Sequence, residues 1–109
     1  MMYRYSNINF ILLGLILETV YNKGFNTIIT ENILVPANME QTLTTDFNVE
    51  NKVTGSDSNG VAQKFFNWNT LVAPAGLLKS NTADMIKFLN ILLSNAGDIA
   101  EANQRTNIF

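Results

Sequence analysis

Apolar residues fall into three runs, one nearly continuous and two at helical spacing, and each predicts a helix. The first, Phe10-Ile11-Leu12-Leu13-Gly14-Leu15-Ile16-Leu17, is broken only by Gly14. A helix apolar all round is expected to be buried on all sides. In so short a chain, that places it in the middle of a larger body. Ser6 or Asn7 suits its N-cap. Asn22-Lys23-Gly24 ends it, with Gly24 placed for the left-handed C′ position. Gly14 costs about 1 kcal/mol relative to Ala, so its expected use is close approach of another backbone.

The second run spans Phe25 to Leu34, with Phe25, Ile28, Ile29 and Ile33 at i, i+3, i+4 and i+8. Pro36 is expected to end this helix, because the residue before a proline avoids the helical region. Asn38 to Thr42 then forms a compact turn. The third run puts Met85, Phe88, Leu89, Leu92 and Leu93 on one face, flanked by Ile86 and Ile91. Asn81 caps it, with Asp84 as a capping-box-like partner, and Ala96-Gly97 closes it. From Thr44 to Asn69 the pattern is irregular. Asn59-Gly60 is a hairpin signal, but poor alternation predicts a long loop with at most short strands, anchored by Phe65, Phe66 and Trp68. Ala73-Pro74-Ala75-Gly76 reads as a tight bend. Asp98 to Phe109 is polar and weakly periodic, and no element is predicted there. The expected class is mainly α, with three principal helices and a long irregular loop.

Composition narrows the chemistry. A chain of 109 residues supports one domain at most. Its hydrophobic fraction, 47%, is that of a globular protein rather than a disordered one. Net charge is −2 and the basic residues are scattered, so there is no electrostatic case for nucleic acid as a partner. With no Cys and no His, disulfides, thiol catalysis, imidazole bases, zinc and haem sites are excluded. No cofactor is implied. The eight-residue run Phe10–Leu17 is far short of the roughly 20 residues that span a bilayer, so no membrane span is expected. Asn7 and Asn9 break the charged-to-apolar transition of a signal peptide, and Glu18 to Tyr21 offers no small-residue cleavage site. A buried helix is the expectation instead.

Single motifs are weak. Asp57-x-Asn59-Gly60 has part of a calcium loop's spacing, but Gly55 holds the first ligand position and Phe66 the position that needs Glu. No metal site is predicted. None of the five serines has Lys three residues on, so no Ser-x-x-Lys nucleophile pair is present. Lys52-Val53-Thr54-Gly55 is one residue too long for Lys-Thr-Gly. Tyr5 and Asn7 lie two apart just before the first helix. Positions i and i+2 of an extended segment share a face, so both are expected to look into one cleft. By themselves they read as a half-buried aromatic and a cap. A free phenol has a pKa of about 10 and needs nearby cations to act as a base near neutrality.

The order of motifs is more specific than any one of them. Tyr5-Ser6-Asn7 leads into Phe10-x-x-Leu13-Gly14-x-x-Leu17-Glu18. Ile33-Leu34-Val35-Pro36-Ala37-Asn38-Met39-Glu40-Gln41-Thr42 follows. After a variable loop comes Ala73-Pro74-Ala75-Gly76-Leu77-Leu78-Lys79-Ser80-Asn81-x-x-Asp84-Met85-x-x-Phe88-Leu89. From Tyr5 to about Gly97 this resembles the middle of the serine β-lactamase-related family: class C β-lactamases, penicillin-binding carboxypeptidases and related esterases. Ala37-Asn38 replaces the family's Leu-Gly, and Leu77 stands where Gly or Asn is usual.

The resemblance implies an α+β parent fold of which residues 1–109 form a partial domain, the tyrosine loop and the helical subdomain. It implies that Tyr5 is the tyrosine whose phenolate exchanges the nucleophile's proton, and that Asn7 hydrogen-bonds the substrate's amide side chain. The family's Ser-x-x-Lys helix is expected upstream and its Lys-Thr-Gly strand downstream. The chain therefore reads as an internal fragment, or one part of a split gene, inactive alone. The implied partners are a small-molecule or peptide substrate and the remaining parts of the same domain. Relatives are usually exported, periplasmic or secreted. The alternative is a small non-catalytic helical interaction protein, which should fold alone and expose no large apolar patch.

Overall fold

The computed structural model describes residues 4–44, 50, 52–64 and 69–106. The chain is mainly helical, as its hydrophobic pattern predicts. Helix α1 (Asn7–Tyr21) begins after Ser6, which is extended at φ −145° but makes no side-chain cap. It ends at Asn22, not Gly24: Asn22 takes the left-handed conformation (φ 49°), while Gly24 is extended at φ −65°. Asn is the residue after Gly that best tolerates this region.

Helix α2 (Phe25–Ile29) runs directly into a π-helical turn, Thr30–Leu34. The expected amphipathic helix is thus present, with Ile28 and Leu34 buried. Pro36 does not end it. Val35, just before the proline, is still helical at φ −65°, ψ −52°. The turn closes two residues beyond Pro36, at left-handed Asn38 (φ 55°). There the Met39 amide donates to the Leu34 carbonyl at 2.8 Å and the Asn38 amide to Val35 at 3.0 Å. These are the two hydrogen bonds of a Schellman cap, and Leu34 and Met39 make its apolar contact in the core.

The long loop holds a two-stranded antiparallel hairpin, β1 (Gly55–Ser56) and β2 (Ala62–Gln63), with Gly55 opposite Gln63. Its tip is held by Asp57, whose Oδ1 accepts from the Asn59 and Val61 amides at 2.9 Å. The expected anchors Phe65, Phe66 and Trp68 lie outside the described residues. The Pro74 segment is more than a bend. Thr70–Ala75 is a 3₁₀ helix, capped by Asn69 Oδ1 accepting from the Leu71 amide and stopped by Gly76 at φ 134°.

Helix α3 (Thr82–Ser94) is capped by Asn81 as expected, its Oδ1 accepting from the Asp84 amide at 2.9 Å. It ends at left-handed Asn95, ahead of Ala96-Gly97. Its apolar face is only partly used. Phe88 and Ile91 pack on the core, whereas Met85, Ile86, Leu89 and Leu93 are exposed. A helix that periodicity missed, α4 (Asp98–Thr106), packs on α3, with Ala100 buried and Ile99 against the core. Its signal was small, since a segment this short and polar carries few apolar residues.

The core is built from Leu34, Ala37 and Met39, with Ile29, Ile33, Phe88, Ile91 and Ile99 against it. Helix α1 takes no part in that cluster. It packs instead on the 3₁₀ helix and α2. The expectation that α1 is buried on all sides is not met within this chain: Gly14 is its only buried residue. At 100° per residue, Leu15, Ile8, Leu12, Ile16, Val20 and Leu13 fall in one arc of about 160°. All six are exposed, from 41% at Leu15 to 73% at Val20. Asn9 and Thr19 alone are polar in that arc. The radius of gyration is 15.7 Å, against about 13 Å for a compact domain of this length.

Candidate functional site

Tyr5 and Asn7 sit at the N-terminal end of α1 and both are exposed. Tyr5 is 63% exposed and its ring lies against Phe10, centroids 5.4 Å apart and planes tilted by 38°. Such a tilted contact orients an aromatic ring without enclosing it. Asn7 is already the first helical residue, so only Ser6 between them is extended. Neither side chain hydrogen-bonds another described residue. Neither lines the cavity of about 390 Å³ between α1, α2 and the 3₁₀ helix, nor the one of about 270 Å³ beside the Schellman turn.

Behind this loop, two motif positions of α1 act through packing. Gly14 faces Pro74 of the 3₁₀ helix: a Cβ on Gly14 would fall 2.8 Å from Pro74 Cβ and closer still to Cγ. The close approach expected at Gly14 is therefore by a side-chain ring rather than a backbone. One turn on, Glu18 Oε1 accepts from the Phe25 amide at 2.7 Å, satisfying an otherwise orphaned donor at the start of α2.

The other motifs meet at a residue whose role the sequence did not disclose. Asp84 is 1% exposed. Its Oδ2 accepts from the Gln41 amide at 2.8 Å and from the Thr42 hydroxyl at 2.9 Å, and its Oδ1 accepts from Lys87 Nζ at 2.9 Å. Lys87 also donates to the Asn38 carbonyl, and Thr42 Oγ1 lies 2.7 Å from Ser80 Oγ. A backbone bridge between Leu43 and Lys79 runs alongside. Asp84 thus does not complete a capping box; its carboxylate ties the 38–42 turn to the start of α3. Burial alone would raise the Asp84 carboxyl. The hydrogen bonds from Lys87, Thr42 and Gln41, with the Lys87 charge, outweigh that and hold its pKa below the usual value. Lys79 is lowered by burial and by the nearby Lys52 charge.

A family comparison now bears on the motif order. The beta-lactamase family model matches residues 2–108. The chain belongs to the beta-lactamase family. No curated protein and no solved structure gives a significant match. In this beta-lactamase-family chain the Pro36–Thr42 and Ser80–Asp84 segments are two halves of one polar joint. Asn38 supplies the positive φ that the Schellman turn needs. Among the described residues no three His, Cys, Asp or Glu side chains cluster to hold a metal, and no helix is long and apolar enough to cross a membrane.

Proposed function

We propose that this chain contributes the tyrosine–asparagine loop of a serine-type acyl hydrolase acting on amide or ester bonds. The observation that carries the reading is the family match over residues 2–108, with Tyr5-Ser6-Asn7 set at the start of α1 and both side chains open to a ligand. In the proposed mechanism a serine hydroxyl attacks the substrate carbonyl and its proton passes to Tyr5. The same proton is then delivered to the leaving group. Asn7 donates and accepts hydrogen bonds to hold the substrate's amide side chain. The resulting acyl-enzyme is released by water.

None of the five serines has Lys three residues on, so the nucleophile and the cation that activates Tyr5 come from polypeptide outside these 109 residues. The purified chain is therefore expected not to turn over a chromogenic β-lactam or a p-nitrophenyl ester. Turnover that Tyr5→Phe abolishes would overturn this. Co-expression with a neighbouring reading frame carrying Ser-x-x-Lys is expected to give turnover, and Tyr5→Phe is expected to cut it by about 10²-fold or more. The alternative reading, a self-sufficient helical interaction protein, predicts no large bare apolar surface. The uncovered arc of α1 supports the hydrolase reading over it.

A further inference from the structure

We propose that Gly14 and Pro74 form the joint that sets where Tyr5 and Asn7 lie, and that both are positioning residues for the site proposed above, on which this inference rests. Gly14 is the one buried residue of α1. It lies on the side opposite the bare arc, where α1 meets the 3₁₀ helix. The ring of Pro74 occupies the space a side chain at Gly14 would fill: an added Cβ would lie 2.8 Å from Pro74 Cβ, whereas ordinary contact begins at 3.4 Å. The fit is a knob in a notch, and it fixes both the depth and the tilt of α1. Pro74 has little freedom to yield, because its pyrrolidine ring restricts the backbone that carries it.

The second tie of α1, Glu18 to the Phe25 amide, is one turn further along. Asn7 is the first residue at the other end and Tyr5 lies just before it, and among the described residues no hydrogen bond holds either of them elsewhere. The N-terminal half of α1 is thus a rigid lever of about 10 Å from Gly14 to Asn7, pivoting at the notch. A displacement there is carried to the proton-transfer and substrate-orienting groups.

The chain has no Cys, so two introduced cysteines label it cleanly. Spin labels at Asn9→Cys on α1 and Asn90→Cys on α3, both exposed positions, report the placement of α1 in the 109-residue chain. Gly14→Ala is expected to shift the Asn9–Asn90 distance by about 2 Å or more, since the ring must retreat to van der Waals contact. It is also expected to lower the melting temperature, although Ala is the better helix former. Adding Pro74→Ala is expected to restore the distance of the parent chain. An unchanged distance in Gly14→Ala, or a raised melting temperature, overturns the joint. If Gly14→Ala does not fold, recovery of folding and distance in the double variant supports the joint. Failure of that double variant, where Pro74→Ala alone folds, overturns it. The distances test the joint alone, whereas turnover of Tyr5→Phe in the co-expressed enzyme tests the tyrosine reading. In the co-expressed enzyme Gly14→Ala is expected to lower kcat and adding Pro74→Ala to restore it, and an unchanged kcat overturns the positioning role.

Discussion

Two joints hold this molecule together, and they are made of opposite materials. The joint between the 38–42 turn and α3 is polar, buried and fully partnered: one carboxylate collects three donors from two segments more than forty residues apart. The joint between α1 and the 3₁₀ helix is apolar and steric, a ring seated on a glycine, with an uncovered apolar arc on the far side of α1. Buried polar groups must find partners inside the fold, so the first joint is complete in itself. Apolar burial is non-directional, and the second joint leaves the far side of α1 exposed. One part of the molecule is closed, and the other keeps a bare apolar face.

Breaking the polar joint has the largest expected effect. Asp84→Ala strands the Gln41 amide and takes one partner each from the Thr42 hydroxyl and Lys87, and is expected to lower the melting temperature on the order of 10 °C. A change under about 2 °C by circular dichroism would show that the carboxylate does not hold the turn. Acid tests the same group. The folded chain holds the Asp84 proton more weakly than the unfolded chain does. Its contribution is therefore full above the usual carboxylate pKa, about 4, and is lost as pH falls through the depressed folded value. A melting series from pH 6 to pH 2 should show that acid limb in the parent chain and a shallower one in Asp84→Asn.

Next in size is the cap between the joints. Asn38→Ala is expected to cost about 1 kcal/mol in urea unfolding, because Cβ-bearing residues other than Asn resist positive φ. Asn38→Gly is expected to gain up to about 1 kcal/mol. The reverse order would remove the Schellman assignment. The smallest stability effect is expected on the bare arc. Leu12→Lys with Ile16→Lys should change stability by no more than about 0.5 kcal/mol while sharply reducing binding of a hydrophobic dye. A large loss of stability would mean that the arc is packed after all.

What the sequence disclosed follows the same division. Helices Phe25–Leu34 and α3 were legible from their helical period, α1 from a nearly unbroken apolar run, and Asn81 as a cap because its partner is three residues away. Glycine at position 14 announced a close approach, though not that Pro74 makes it. Asp84 was legible only as a local capping residue. Its true partners, Gln41 and Thr42, are distant in sequence, and no periodicity links them. The burial of α1 was overestimated for a physical reason: an apolar surface states what it needs, not what it finds within one chain. Tyr5 and Asn7 lie two apart at the start of α1, and both are exposed. The chemistry proposed for them depends on groups that no spacing in these residues supplies.

Sixteen asparagines make the chain unusual, and three of them, Asn22, Asn38 and Asn95, sit at positive φ beyond a helical segment. Hydrolysis of any of these amides, which adds water and releases ammonia, would leave a carboxylate at the negative end of a helix dipole, where it is repelled. At each of these stops, deamidation would set charge against the helix that the asparagine ends.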